Sequence, residues 1–306
     1  MARVAAVVVT YNRCLLLKQC ISHLHAQKIP EGVQLDVLVI DNASTDDTLY
    51  ELTPFIEDGS IHYYNTGSNL GGAGGFAFGM KTAVEAGYDY VWVMDDDCMP
   101  AHDALWGFWN AKAKLEGGSA AASEQAWGYL SSVVKWKDGT PCAMNVQRHP
   151  LFKNIEDFTP ELQPCTLASF VSLLVPASVI RDVGLPFAEF FIWTDDWEFT
   201  RRVSRKYPCY VVGESQVTHA SQTNNPGNIY TDPEERLGRY QYIYRNDVVL
   251  YREEGIKGIL FLYARAIYHT LQVLVSDVGL KQDRIDLIWK GTKDGFSFKP
   301  IIQFPS

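Results

Sequence analysis

The first hundred residues alternate between continuous apolar runs and segments whose apolar positions recur at helical spacing. "VAAVVVTY" from Val4 to Tyr11 and "LDVLVIDN" from Leu35 to Asn42 are typical of strands that are buried on both faces. The segment "CLLLKQCISHLHAQ" between them has the spacing of an amphipathic helix. Because "IHYYNT" and "YVWVMDD" continue this alternation, we predict an α/β fold with a mainly parallel central sheet.

Polar clusters follow the predicted strands where each strand ends. In a parallel sheet of this kind, ligands bind outside the carboxyl ends of the strands. We therefore expect these clusters to converge in space: Thr10-Tyr11-Asn12, Asp41-Asn42, the residues from Asn65 onward, and Asp95-Asp96-Asp97.

The rest of the chain has a different organisation. Turn-rich segments such as "WKDGTPC" and "RHPLFKN" indicate a mixed, partly antiparallel extension of the sheet, and the chain after residue 235 is mainly helical. We predict a domain over residues 1–234, composed of a first half (1–100) and a second half (101–234). A C-terminal helical region (235–306) follows.

Charge and cysteine content restrict the function. A net charge of −9 over 306 residues argues against a nucleic-acid binder, which needs a basic stripe. The six cysteines form no C-x-x-C pair, which favours reduced thiols in a cytoplasmic protein. The N-terminal apolar run lacks the features of a signal peptide, and we interpret it as a strand.

The most apolar C-terminal stretch, "GIKGILFLYARAIYHTLQVLV", is interrupted by Lys257, Arg265 and His269. These polar residues argue against a membrane span. Two interpretations remain: peripheral contact with the inner face of a membrane that holds a lipid-linked acceptor, or packing on the domain core or at the interface of a homo-oligomer.

Three consecutive carboxylates, Asp95, Asp96 and Asp97, follow the fourth predicted strand. Like charges repel unless something offsets them, and Mg²⁺ or Mn²⁺ does so with oxygen ligands. Asp95 and Asp97, at alternate positions, can reach one ion. The alternative is that the triplet only caps a helix that begins near Pro100.

The stretch "NLGGAGGFAFG" contains Gly71, Gly72, Gly74 and Gly75 before a helical pattern. Glycines let backbone N–H groups approach a phosphate at a helix N-terminus. The spacing is no nucleotide signature by itself, and a flexible turn or close helix packing is an equal alternative.

A second acidic pair, Asp195 and Asp196, lies among aromatic residues in "FFIWTDDWEFTRR". Aromatic walls desolvate a carboxylate and raise its pKa toward that of a general base, and they offer faces on which sugars pack. The alternative is a helix N-cap with the aromatic side chains in the core. His219, which follows both acidic clusters, would complete a site suited to Mn²⁺ with Asp95 and Asp97.

Together, "VAAVVVTYNR", "VLVIDNASTDDT", "MDDD" and the later "DD" resemble the inverting family 2 glycosyltransferases, over roughly the first 220 residues. "NLGGAGGFAFGM", "FFIWTDDWEF" and "RYQYIYRND" look most similar to the bacterial galactofuranosyltransferases. The resemblance implies the GT-A fold, a nucleotide-binding α/β sandwich. It implies that residues 1–100 form the nucleotide-binding half and residues 101–234 the acceptor or catalytic half.

The resemblance also implies roles for individual residues. It implies that Asp195 and Asp196 form the catalytic pair with Asp196 as the base, and that Asp95, Asp97 and His219 bind the metal. It implies acceptor contacts at Trp193, Thr194 and Trp197, although Thr194 stands where the family has Trp. The donor-binding set it implies is Thr10, Tyr11, Arg13, Asp41, Asn42, Asn69, Gly71, Gly72, Gly74, Gly75, Asp95 and Asp96.

The implied reaction is a metal-dependent, inverting transfer of galactofuranose from UDP-galactofuranose to a glycan or lipid-linked acceptor in cell-surface polysaccharide assembly. Two alternatives stay open. One is transfer of rhamnose from dTDP-rhamnose, and the other is a non-catalytic module that binds a sugar nucleotide or glycan. A Rossmann oxidoreductase is disfavoured because "TYNRC", and not a glycine motif, follows the first strand.

Overall fold

The structure is a computed structural model that describes residues 1–117, 127–149 and 153–306. Its N-terminal half forms the predicted parallel sheet. The strands are β1 (Ala2–Thr10), β2 (Val33–Asp41), β3 (His62–Asn65) and β4 (Tyr90–Asp95), and they lie side by side in the order β3-β2-β1-β4.

The second half extends this sheet with mixed strand directions, as the turn-rich sequence predicts. The added strands are β5 (Cys98–Pro100), β6 (Leu130–Trp136), β7 (Leu162–Pro164), β8 (Leu173–Pro176) and β9 (Tyr210–His219). Strand β8 joins β4 and β6 and runs antiparallel to both. Strand β9 runs parallel to β6 and antiparallel to β5 and β7.

Helices cover both faces of the sheet, which makes the fold a three-layer α/β/α sandwich. The helices are α1 (Cys14–His25), α2 (Thr48–Glu57), α3 (Gly71–Glu85), α4 (Ala104–Gly117), α5 (Ala177–Val183) and α6 (Asp195–Ser204). Successive strand residues point to opposite faces, so Val7 packs in one core with Met80 and Val8 packs in the other with Leu17. Both faces are therefore buried, which explains the unbroken apolar runs.

Three helices end the chain: α7 (Tyr240–Arg252), α8 (Gly255–Val275) and α9 (Lys281–Ser297). They pack against one another, and α7 also contacts α6. Within the described residues, α8 is the helix long and apolar enough to cross a membrane, by length and composition alone. It leaves Ile256, Leu260, Ile267 and Leu271 largely exposed. Membrane contact and self-association both stay predictions.

Candidate active site

Strand pairing brings the polar strand ends to one edge of the sheet. The register aligns Thr10 with Asp41 and Val9 with Asp95, so β1, β2 and β4 end side by side. The acidic triplet therefore lies beside the first two polar clusters, as predicted from the sequence.

Asp96 is fixed by protein contacts. The hydroxyl of Thr10 donates to its Oδ2 at 2.7 Å, and Arg13 donates to its Oδ1 at 3.2 Å. Arg13 also donates to Oδ2 of Asp97 at 3.0 Å. Burial raises the pKa of Asp96 to about 6, although Arg13 and Thr10 oppose this effect. Thr10 and Arg13 thus hold the triplet, and their predicted contact with uridine stays a prediction.

His219 reaches the triplet because β9 pairs with β5, which places His219 opposite Cys98. Its Nε2 lies 3.1 Å from Oδ1 of Asp97. That contact lacks hydrogen-bond geometry, and the buried oxygen has no hydrogen-bond partner among the described residues. Burial lowers the pKa of His219, but Asp97 outweighs this and raises it to about 10.

The donor atoms around the triplet suit a divalent cation. Carboxylate oxygens of Asp95 and Asp97 lie within 4.8 Å of each other and of the Cys98 thiol. Burial keeps the pKa of Cys98 well above its ordinary value, so the thiol stays protonated and is a poor ligand. Burial and the charge of Asp97 raise the pKa of Asp95 to about 8, a cost that a bound cation would remove.

The residues predicted to hold the nucleoside line the end of β2. Asp41 is fully buried and accepts from the Tyr63 hydroxyl at 2.5 Å and from the N–H of Ser44 at 2.8 Å. Asn42 donates to the carbonyl of Gly71 at 2.9 Å, while the ring of Tyr11 is exposed. Asp41 and Asn42 therefore shape this edge through protein contacts, and their donor contacts stay predictions.

The glycine run lies inside α3, which begins at Gly71 and not after the last glycine. A Cβ at Gly71, whose φ is +72°, would lie 2.0 Å from the carbonyl oxygen of Phe191. Close packing likewise explains Gly74 and Gly75, whereas a Cβ at Gly72 would meet nothing within 4 Å. The N–H of Gly71 already donates to the Asn69 side chain. A phosphate role for these glycines stays a prediction.

The second acidic pair begins α6 and is strongly perturbed. Burial and the charge of Asp196 raise the pKa of Asp195 well above its ordinary value. Burial also raises the pKa of Asp196, to about 7, and the charge of Asp95 adds to the increase. Asp196 therefore titrates near neutral pH, as a general base requires, and it lies within electrostatic reach of the triplet.

The loop before this pair is strained. Phe191, Trp193 and Thr194 all have positive φ angles, of 64°, 66° and 70°. Each such residue costs about 1–3 kcal/mol and persists only where its surroundings enforce it. The strain turns the chain sharply into α6 and delivers Asp195 and Asp196 at its first two positions.

Side chains from α7 and α8 enforce this loop conformation. The buried amide of Asn246 lies within hydrogen-bond distance of three loop carbonyls, those of Phe190, Ile192 and Trp193. The hydroxyl of Thr194 donates to Asp247 at 2.8 Å, and Asp247 is also ion-paired with Arg265. The C-terminal helices therefore hold the loop that precedes Asp195 and Asp196.

The three residues predicted to contact the acceptor lie in different surroundings. Trp193 packs on Tyr240, with ring centroids 5.4 Å apart. Thr194 is buried and directs its hydroxyl to Asp247. Trp197 is half-buried and carries the guanidinium of Arg148 at 4.1 Å from its ring centroid. Acceptor contact by any of them stays a prediction.

The sequence analysis assigned no role to Arg148, Asn246, Asp247 or Arg265. For the first, no sequence signal exists, since Arg148 follows a turn-rich stretch without periodicity. For Asn246 and Asp247 a signal is present: the polar "RND" interrupts the apolar runs "YIY" and "VVLY" on α7. Polar side chains within an apolar helix face indicate buried hydrogen bonds.

Comparison with known proteins finds similar sequences. Residues 5–123 match the model of "Glycosyl transferase family 2". The chain is 28% identical over 270 residues to "Galactofuranosyltransferase GlfT1" of Mycobacterium tuberculosis, with 84% of each chain covered. It is 27% identical to the protein of that name from Mycolicibacterium smegmatis, covering 84% of this chain and 85% of the relative.

Solved structures share the fold at low sequence identity. S. aureus TarS 1-349 aligns over 98% of this chain and 75% of its own, with a TM-score of 0.53 and 14% identity. GalNAc-T7, solved with UDP, GalNAc and Mn²⁺, aligns over 96% of this chain and 56% of its own, with a TM-score of 0.61 and 12% identity. The chain is therefore a glycosyltransferase with the GT-A fold, and its residues 5–123 are similar to the family 2 model.

Proposed function

We propose that this glycosyltransferase moves galactofuranose from UDP-galactofuranose to a hydroxyl of a glycan or lipid-linked acceptor, with inversion at the anomeric carbon. The observation that carries the sugar assignment is the similarity to galactofuranosyltransferases over 84% of both chains. The electrostatic interaction between Asp196, at the start of α6, and Asp95 of the triplet supports the chemistry.

Asp196 acts as the base in this proposal. As the acceptor oxygen bonds to the anomeric carbon, its proton passes to the carboxylate of Asp196, and the bond from that carbon to the diphosphate breaks. The oxygen attacks from the face opposite the diphosphate, which inverts the configuration. The raised pKa of Asp196, about 7, supports this role because the carboxylate can then accept a proton near neutral pH.

Asp95, Asp97 and His219 are the residues that would hold a divalent cation. Their support is the proximity of the Asp95 and Asp97 carboxylates, which lie within 4.8 Å of each other, and the raised pKa of Asp95. His219 adds a nitrogen 3.1 Å from Oδ1 of Asp97, an oxygen that accepts no hydrogen bond among the described residues. When bound, Mg²⁺ or Mn²⁺ would neutralise the charge that develops on the departing diphosphate. Asp96, held by Thr10 and Arg13, keeps the triplet in place.

Isothermal titration with four donors tests the substrate: UDP-galactofuranose, UDP-galactopyranose, UDP-glucose and dTDP-rhamnose, each with Mn²⁺ and again with EDTA. We expect metal-dependent binding that favours the furanose donor. NMR of the glycoside product then reports the anomeric configuration.

Other outcomes lead to different conclusions. Preference for dTDP-rhamnose would keep the base and the metal site but change the sugar. Donor binding without transfer to any acceptor would favour a non-catalytic sugar-nucleotide module. Failure to bind all four donors would contradict the proposal.

A further inference from the structure

Arg148 lies beside the proposed base in an unusual environment. Its backbone is fixed, because its N–H donates to Leu167 and its carbonyl accepts from Thr166. Its guanidinium stacks on Trp197, the residue that follows Asp196. This placement puts a cation at the start of α6, next to the catalytic pair.

Among the residues that the structure describes, Arg148 has no ion-pair partner, unlike the other arginines named here. Arg13 is ion-paired with Asp96 and Asp97, Arg265 with Asp247, and Arg201 with Glu254. Over the described parts of the chain, Arg148 has no ion-pair partner, and its buried Nε has no hydrogen-bond acceptor. A half-buried guanidinium that has no ion-pair partner among the described residues, and whose buried Nε has no acceptor, can bind an anion through its terminal N–H groups.

Arg148 interacts electrostatically with Asp196 and not with the acidic triplet. Burial lowers the pKa of Arg148, while Asp196 and Tyr251 are the neighbours whose charges raise it. The charges of Asp95, Asp96 and Asp97 act on Arg13 instead. The proposed function assigns the donor diphosphate to the triplet and the acceptor hydroxyl to Asp196, so Arg148, stacked on Trp197, lies beside the group assigned to the acceptor.

We propose that Arg148, held on the face of Trp197, binds an anionic group of the acceptor, a phosphate or a carboxylate, and so directs the attacking hydroxyl toward Asp196. This inference rests on the proposed function, since it takes Asp196 as the base. A guanidinium offers two parallel N–H donors to such a group, which fixes its orientation as well as its position.

The test uses three small probes that differ in charge: glycerol, glycerate and glycerol 1-phosphate. Each is titrated by ligand-observed NMR into the full chain with UDP and Mg²⁺ present, so that the donor side is already filled. The variants are Arg148→Gln and Arg148→Lys, with Arg181→Gln on α5 as the matched control. Melting temperatures establish that each variant is folded, and UDP affinity is measured for each.

We expect the wild-type chain to bind at least one charged probe about tenfold more tightly than glycerol, as charge-assisted hydrogen bonds imply. Arg148→Gln should remove this preference, and Arg148→Lys should keep part of it because a lysine retains the charge without the planar fork. UDP affinity should stay unchanged. The stronger of the two charged probes identifies phosphate or carboxylate.

Two results would overturn the inference while leaving the proposed function intact. In the first, the wild-type chain binds UDP but binds the charged and neutral probes with equal affinity. The second is a loss of UDP affinity in Arg148→Gln, which would assign the arginine to the donor. Failure of the wild-type chain to bind UDP would instead overturn the proposed function and this inference with it.

Discussion

Replacing Asn246 by alanine tests what holds the conformation of the loop over residues 190–194, which precedes the proposed catalytic pair. The side chain is fully buried, and its Nδ2 lies 2.9–3.1 Å from the carbonyl oxygens of Phe190, Ile192 and Trp193. These carbonyls flank the positive-φ residues that precede Asp195. Alanine removes these donors, together with the oxygen that accepts from Arg245, without changing the backbone of α7.

The magnitude follows from the hydrogen bonds. An amide has two N–H hydrogens, so at most two of the three carbonyls are fully satisfied at once. A buried carbonyl left without a donor costs about 1–3 kcal/mol, which gives about 2–6 kcal/mol for two of them. The strain at each positive-φ residue, about 1–3 kcal/mol, then favours relaxation of the loop. A shift of Asp196 by about 1 Å would lower kcat roughly 100-fold.

The assay compares Asn246→Ala with Gln241→Ala, which truncates an exposed side chain on the same helix. For each variant we would measure the melting temperature, the affinity for UDP and kcat with a competent donor and acceptor. We expect Asn246→Ala to melt several degrees lower and to lose kcat while UDP affinity is retained. Gln241→Ala should match the wild-type chain in all three.

A folded Asn246→Ala chain with wild-type kcat would refute the reasoning, because it would show that the loop keeps its conformation without the amide. An equal loss of UDP affinity and kcat would also count against it. In that case the substitution would have disturbed the whole edge of the sheet and not the loop alone.

Further predictions follow from single side chains. Asp196→Asn should abolish transfer and leave UDP affinity unchanged. In the wild-type chain, kcat should fall as pH drops below about 7, the pKa to which Asp196 is raised. The raised pKa of Asp196 means that its charged form is less favourable in the folded chain than in the unfolded chain. The free energy of unfolding should therefore fall as pH rises from the pKa of the unfolded chain, 3.8, to the folded value of about 7. Without metal, Asp196→Asn should therefore melt at a higher temperature than wild type at pH 8. The pKa of His219 is raised to about 10, so the imidazole is protonated at neutral pH and must lose a proton to bind a metal. Metal affinity should therefore increase as pH rises. Titration of Mn²⁺ in buffers of different ionisation enthalpy would detect the released proton. If the His219→Ala variant released as many protons as the wild-type chain on binding Mn²⁺, His219 would not be a metal ligand. Gly71→Ala should be strongly destabilised by the contact with the Phe191 carbonyl, whereas Gly72→Ala should melt at or slightly above the wild-type temperature.

The parallel half of the fold could be predicted from the sequence because its signals are local. Unbroken apolar runs require burial on both faces, and helices between them require parallel strands. The same logic places the acidic triplet beside the ends of β1 and β2, and the register confirms that placement. Proximity at a shared sheet edge therefore follows from strand order alone.

The contacts that depend on distant segments could not be predicted in this way. His219 reaches Asp97 only because β9 pairs antiparallel with the short β5, and three residues of strand leave little periodicity to detect. The glycine run was ambiguous for a related reason. Its φ angle and close contacts at Gly71 depend on a loop 120 residues further along the chain, which no local pattern reveals.

The contacts of Asn246 and Asp247 with the loop before Asp195 link the C-terminal helices to the proposed catalytic pair. A domain boundary after residue 234 separates the sheet from the C-terminal helices by element type. Asn246 and Asp247 lie beyond this boundary, yet they bond to the loop that precedes the proposed base. Arg265 on α8 then fixes Asp247 in turn. Since the strained loop persists only while these groups enforce it, the geometry of Asp196 depends on helices that contribute no proposed catalytic group. Substitutions on the inner faces of α7 and α8 should accordingly lower kcat more than donor affinity.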